Sequence, residues 1–256
     1  MNLQILLSVM NLNKYDLDKM NIKSKCVVIN QCDKNEYENY KNFEIYSYNE
    51  RGTANNRNRG LEHITEEIIL LCDDDVVYDE DYEQKVLEEF ENNKNANIIV
   101  FNLNSPNREI KPNTKDKRLR FYNILRYSSP RIAFRKDSIE NNNIKFNTLF
   151  GSGAKYTSGE DTLFLVDALK KNLKIYSSTE NIGTVYHEKS TWFNGYTQKY
   201  FFDKGALFTA ISKKNRIILI IQFLLRHTEI LQDVSFFSAF KWMMKGSEDY
   251  LKTQKN

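Results

Sequence analysis

The sequence predicts an α/β protein: a mostly parallel central sheet flanked by helices, followed by a helical C-terminal extension. Three observations predict it. Short β-branched and aliphatic runs alternate with polar, helix-compatible stretches through the first hundred residues, the pattern of strands joined by crossover helices. A polar connection at 104 to 118 then separates this half from a second, less regular one. From about residue 194 onward the patterning is mainly helical.

The strands of the first half are "LQILLSV" (3 to 9), "CVVIN" (26 to 30), "FEIYSY" (43 to 48), "EIILLCD" (67 to 73) and "NIIVFNL" (97 to 103). Helices fit near 53 to 64 and 79 to 93, the second with Tyr82, Val86, Leu87 and Phe90 on one face. The connection "NSPNREIKPNTKDKR" holds two of the three prolines, and long connections in compact domains often carry function. After it come "PRIAFRK", "IKFN" and the glycine-bearing "FGSGAKYTSG", read as a mobile loop. A helix follows from about 160 to 171, with strands near 173 to 177 and 183 to 187.

At 256 residues the chain can bury roughly 70% or more of its unfolded surface. Its 37 basic and 34 acidic residues are too evenly balanced to announce a nucleic-acid binder, and none is expected as a partner. Cys26, Cys32 and Cys72 lie in or beside apolar runs without metal-type spacing, which argues for buried reduced thiols and a cytoplasmic setting. "MNLQILLSVMN" lacks the basic leader and cleavage site of a secretory signal and reads as the first strand. No segment has the roughly 18 to 20 apolar residues needed to span a bilayer.

The chemistry concentrates in three places. "CDDDV" sets Asp73, Asp74 and Asp75 at a strand end, where open parallel sheets bind ligands. A strand period of two would turn Asp73 and Asp75 to one side, and paired hard oxygen donors suit Mg²⁺ or Mn²⁺. The same acids would equally serve a following helix N-terminus. "TSGEDTLFLVDAL" opens an amphipathic helix with Glu160 and Asp161. "GTVYHEKSTW" carries His187 after a β-branched run, with Trp192 shortly beyond. His63 and His227 have no comparable setting and read as surface or packing residues.

In this order, and with "GTANNRNRGL" at 52 to 61, these segments resemble the GT-A glycosyltransferases of family 2 over about residues 3 to 205. The resemblance implies a GT-A fold with a nucleotide-sugar-binding half at 1 to 103, an acceptor half at 104 to 205 and an extension at 206 to 256. It implies an inverting transfer from a nucleotide-diphosphate sugar, UDP-linked by family habit, to a hydroxyl of a glycan or lipid-linked acceptor in surface-polysaccharide assembly. Asp161 would be the catalytic base and Glu160 an acceptor-positioning residue. Asp75 and Asp73, with His187, would hold the divalent cation, and Asp73 or Asp74 would meet the ribose. Val9, Asn11, Asn30, Gln31 and Arg57 would contact the nucleotide, and Trp192 would stack on a sugar. The sequence departs from the family pattern at "VVINQCDK", where Asn30 and Gln31 stand in place of paired aspartates; an amide both donates to and accepts from a base edge.

In the last third, Lys213, Lys214 and Arg216 precede the apolar "RIILIIQFLLRH". That pattern fits a helix lying in the plane of an anionic membrane, at the inner face of the cell membrane, as well as it fits a core helix. "FFSAFKWMMK" at 236 to 245 would pack on it or on a second subunit. The competing readings are a haloacid-dehalogenase-like phosphatase, which carries an Asp-x-Asp after its first strand, and a non-catalytic glycan-binding protein of the same fold.

Overall fold

The computed structural model describes residues 1–106, 109–186, 195–231 and 234–254. In chain order the first half comprises β1 (Leu3–Met10), α1 (Lys14–Leu17), β2 (Lys25–Gln31), β3 (Glu36–Tyr40), β4 (Phe43–Tyr48), α2 (Thr53–Leu61), β5 (Ile68–Asp73), β6 (Val76–Tyr78), α3 (Tyr82–Asn92) and β7 (Ile98–Asn104). The second half adds β8 (Lys117–Leu119), α4 (Phe121–Ile124), β9 (Ile132–Arg135), α5 (Lys136–Glu140), α6 (Glu160–Lys170) and β10 (Ile175–Val185). Helices α7 (Gln198–Ile211), α8 (Arg216–Arg226) and α9 (Phe236–Thr253) end the chain, with a 3-10 turn at Thr228–Leu231.

The aliphatic runs form strands because both faces of the sheet are covered. Leu6, Val27, Ile69 and Val100 turn to one layer, where α2, α6 and the C-terminal helices pack. Ile5, Val28, Leu70 and Ile99 turn to the other, against Tyr82, Val86 and Phe90 of α3. Alternate residues therefore feed two cores. The sheet runs β3-β4-β2-β1-β5-β9-β7-β10-β6, with β8 also on β10. Its β4-β2-β1-β5 block is parallel, as expected from the alternating pattern. Strand β9 enters antiparallel between β5 and β7, making the whole a mixed sheet.

The chain leaves β1 toward β2 on one side and pairs it with β5 on the other, so a crevice opens beyond the carboxyl end of β1. Several of the candidate residues named from the sequence, Val9, Asn11, Asn30 and Gln31, lie at that end of the sheet.

Several elements differ from the sequence reading. Strand β3, "EYENY", is polar because it is an edge strand pairing only with β4. The two strands expected at 173 to 177 and 183 to 187 are one strand, β10, whose register shifts around Asn181 break its apolar pattern. "IKFN" forms no regular element, though Ile144 and Phe146 are buried. The polar connection contains β8. Its Asn113 is buried and receives hydrogen bonds from Arg126 and Tyr127. The glycine loop is ordered by Gly151 N–H to Tyr156 O and by Thr157 N–H to Asp203. All three cysteines are buried and unbridged, and burial pushes the Cys26 and Cys72 thiols up.

Residue 205 lies inside α7, which packs closely on α9. The contact needs bare backbone: a Cβ on Gly205 would stand 1.9 Å from the Met243 carbonyl oxygen, and one on Gly246 1.8 Å from that of Phe202. Thr209 Oγ1 donates to Ser247 Oγ at 2.7 Å in the same seam. Helix α8 buries Ile220 and Leu224. It leaves Ile218 and Leu225 largely exposed. Among the described residues no helix is long and apolar enough to cross a membrane.

Candidate active site

The ends of β1, β2 and β5, helix α2, the residues before β9 and the start of α6 converge at the crevice. Strand β1 ends in buried Val9 and exposed Met10, then turns at Asn11, whose φ of 53° is left-handed, a conformation Asn tolerates. The turn is held by Asn11 N–H to Gln31 O at 2.9 Å. Asn30 is buried. Its Oδ1 accepts the Leu12 N–H at 3.0 Å and its Nδ2 donates to Ser47 at 3.1 Å, so its side chain shapes the turn. The Gln31 side chain is partly exposed at the rim.

From α2, Asn56 donates to Ile29 O at 2.7 Å, fastening the helix to β2. Arg57 is its buried neighbour and the centre of the site. Its Nη1 donates to Asp161 and, at 3.2 Å, to Glu160; its Nη2 donates to Asp73 at 3.0 Å. Ser129, just before the cis Ser129-Pro130 bond, donates its N–H to Asp161 Oδ2 at 2.9 Å and its hydroxyl to Asp73 at 3.3 Å. One guanidinium on α2 thus ties the end of β5 to the start of α6, and three carboxylates share it.

That imbalance sets the electrostatics. Burial alone would lower the Arg57 pKa, but Asp161, Asp73 and Glu160 together hold it above the ordinary arginine range. For Asp161, burial and then its acidic neighbours raise the carboxyl against the pull of Arg57, and the net direction is up. The first turn of α6 supplies backbone N–H groups that favour these acids. Gly159 precedes it with a φ of +116°, and a side chain there would strike Leu207.

The aspartate run departs from strand geometry. Strand β5 stops at Asp73, and Asp74 and Asp75 form the turn into β6. The turn arises because β6 pairs with β10 rather than with a neighbour of β5, so the chain must change direction. The two-residue alternation expected for Asp73 and Asp75 does not extend past the strand. Asp74 is exposed; Asp73 and Asp75 are half-buried. Burial, then Asp73 and Asp74, push the Asp75 carboxyl up to about 7.

Among the described residues, no three His, Cys, Asp or Glu side chains form a ready cation cage. The donor set at 73 to 75 instead fits a hard divalent ion that arrives with a diphosphate, since Mg²⁺ takes one or two carboxylates and completes its shell with phosphate and water. The raised Asp75 carboxyl marks a place where positive charge is wanted. Tyr186 donates its N–H to Asp75 O at 2.8 Å, which sets residue 186 beside this turn. His187 and Trp192 themselves lie outside the described residues. His63 packs as expected, stacked on Tyr46 and bonded to Tyr48 at 2.7 Å. Sequence reasoning missed Asn56 and Ser129. Asn56 could be suspected from its place beside Arg57, but nothing local marks Ser129, which only the return of β9 brings to Asp73.

A crevice at the switch point of a mixed sheet, with an aspartate turn on one wall and a Glu-Asp helix start on the other, defines the class of sugar-nucleotide-using transferases. The glycosyl transferase family 2 profile matches residues 26–158, and the chain belongs to that family. It is a nucleotide-sugar-dependent glycosyltransferase. Its fold is similar to that of S. aureus TarS residues 1–349 in complex with UDP-GlcNAc, at 14% identity and a TM-score of 0.68, covering 98% of this chain and 81% of that one. It is also similar to the mannosyltransferase PcManGT from Pyrobaculum calidifontis in complex with GDP-Man and Mn²⁺, at 12% identity and a TM-score of 0.55, covering 99% and 75%. No curated protein sequence matches the chain.

Proposed function

We propose that this enzyme transfers a sugar, with inversion, from a UDP-linked donor to a hydroxyl of a glycan or lipid-linked acceptor in surface-glycan assembly, and that Asp161 is its base. The observation that carries the reading is the Arg57 cluster, which holds Asp161 buried, oriented by two partners and raised in pKa at the mouth of the switch-point crevice. A base whose pKa is raised toward working pH is matched to taking a hydroxyl proton.

In this reading the nucleotide lies across the end of β1. The turn at Val9 to Asn11 offers backbone groups, Gln31 offers its amide to the base, and Asn30 keeps the turn in shape. Asp74 on the exposed side of the turn meets the ribose. Asp75 and Asp73 would hold a Mg²⁺ or Mn²⁺ ion, with His187 as a further ligand; that ion would offset the charge of the leaving diphosphate. Asp161 takes the proton from the acceptor hydroxyl as its oxygen attacks the anomeric carbon from the face opposite the diphosphate. Arg57 keeps Asp161 aimed and Glu160 steers the acceptor, with Trp192 as a stacking platform. The UDP-GlcNAc complex of TarS and the GDP-Man and Mn²⁺ complex of PcManGT support the donor and metal classes.

The test is Asp161→Asn. Transfer should fall by about 10²- to 10⁴-fold, with metal-dependent UDP binding kept. Full transfer by the variant would remove Asp161 as the base, and a wild-type protein that binds no nucleotide diphosphate would remove the donor assignment.

A further inference from the structure

Helix α7 lies along the segment that leads into α6, and three contacts fix how the two run together. The Lys199 ammonium donates to Lys155 O at 2.9 Å, and the Asp203 carboxylate accepts the Thr157 N–H at 3.0 Å. Leu207 packs on Gly159, where a Cβ would stand 2.6 Å from its methyl carbon. Positions 199, 203 and 207 thus follow 155, 157 and 159 in step. Lys204 falls between the last two contacts, beside Glu160. It shares a face with Tyr200 and Leu207, since residues three and four apart are neighbours on a helix. Helical side chains lean toward the N-terminus, and the Lys204 Nζ lies 5.6 Å from the centre of the Tyr200 ring.

Lys204 is half-buried, and its ammonium forms neither a hydrogen bond nor an ion pair among the described residues. The two acids whose charge reaches it are engaged elsewhere. Asp203 accepts from Lys199 at 2.7 Å and from the Thr157 hydroxyl at 2.8 Å. Glu160 accepts from Arg57 Nη1 at 3.2 Å and from the Gly159 N–H at 3.0 Å. Burial lowers the Lys204 pKa while Asp203 and then Glu160 raise it, and the net direction is down. Lys204 and Glu160 therefore feel each other's charge without touching. Charges drawn out of water are ordinarily paired, so an ammonium held here without an acceptor is ready to take one.

The surrounding charge says what kind of acceptor group fits. The start of α6 already gathers Asp73, Glu160 and Asp161 on one guanidinium. A further anion would meet those carboxylates. A neutral hydroxyl satisfies both sides, because its proton goes to a carboxylate and its oxygen accepts from an ammonium; each Glu160 oxygen keeps a lone pair for it.

We propose that Lys204 and Glu160 together form an acceptor subsite, gripping one uncharged sugar hydroxyl between them beside the hydroxyl that Asp161 deprotonates, and so select a neutral glycosyl unit at the acceptor end. This rests on the assignment of Asp161 as the base and of Glu160 to the acceptor. Glu160 accepts the proton of the held hydroxyl, Lys204 donates to its oxygen, and the Tyr200 ring supports the ammonium through its face. No bond is made or broken at that hydroxyl.

The experiment measures binding of methyl glycosides to the full chain by ligand-detected NMR, with UDP and Mg²⁺ present, for the wild type, Lys204→Met and Lys204→Arg. The panel is methyl glucoside, methyl galactoside and methyl N-acetylglucosaminide, with methyl glucuronide and methyl galacturonide as anionic counterparts. The wild type should bind at least one neutral glycoside. Lys204→Met should weaken that binding about tenfold or more, Lys204→Arg should keep most of it, and UDP affinity should be the same in all three. Methionine also removes a half-buried unpaired charge, so Lys204→Met should melt no lower than the wild type. A lysine with a structural role alone would give the reverse, a lower melting temperature with glycoside binding kept. Lys204→Gln carries the same test should the methionine variant fail to fold.

Unchanged glycoside affinity in the neutral variants overturns the proposal. So does tighter binding of a uronate than of its neutral parent, which would assign Lys204 to an anionic substituent. A wild type that binds UDP but none of the neutral glycosides overturns it as well, whereas a wild type that binds no UDP would instead count against the donor assignment.

Discussion

Asp73, Glu160 and Asp161 share one buried guanidinium, while Asp75 stands half-buried beside two further acids. Such an arrangement is costly without a cation, and the cost depends on pH. A carboxyl whose pKa is raised on folding binds its proton more tightly in the folded state than in the unfolded chain. Its penalty is absent below the unfolded value near 4 and complete above the folded one. For Asp75, raised to about 7, metal-free stability is therefore lost as pH climbs from about 4 to 7. Asp75→Asn abolishes that titration. With chelator present, the melting temperature of the variant relative to wild type should rise across this window, and Mg²⁺ or Mn²⁺ with UDP should restore the wild type at pH 7.5. A variant difference that does not change with pH would show that Asp75 does not titrate there. The candidate acids were legible because they cluster in sequence. Their common partner was not, because an arginine on a helix looks the same whether it points to solvent or, like Arg57, into a buried cluster.

At the scale of elements, strands and helices with one period and a full apolar face were legible: β4 runs over the residues expected and α6 starts at Glu160 as read. Those decided by pairing were not. Strand β3 is held by the free edge of β4, and β8 by β10, and neither has enough apolar residues to declare itself. The α7–α9 seam is similar, since its glycines read only as weak helix formers. Alanine ordinarily improves a helix over glycine by about 0.5–1 kcal/mol. Gly205→Ala and Gly246→Ala should nonetheless destabilise by about 1–3 kcal/mol, because the added carbon meets backbone that cannot yield. Chemical denaturation of either variant checks this, and a gain in stability would show that the helices do not cross this closely.

For the molecule as a whole, α8 presents Ile218 and Leu225 outward between Lys213, Lys214 and Arg216 at one end and Arg226 at the other. An outward apolar stripe with basic ends suits an in-plane helix at an anionic bilayer. The protein should co-sediment with phosphatidylglycerol vesicles, less so as salt rises, and Ile218→Glu/Leu225→Glu should release it without a change in melting temperature. Retention of the double variant on vesicles would assign the stripe to contact with a second subunit or another surface. The parallel block, the ordered acidic motifs and their family followed from the sequence by itself, because hydrophobic period and local chemistry are written in neighbouring residues. Only the tertiary structure decided that Asp73 and Asp161 meet through Arg57 and Ser129, that the aspartates turn rather than alternate, and that Arg131 is buried with its Nη1 unpaired among the described residues. Each depends on strands inserted from distant parts of the chain, and spacing along a sequence carries no record of which strand comes to lie beside which.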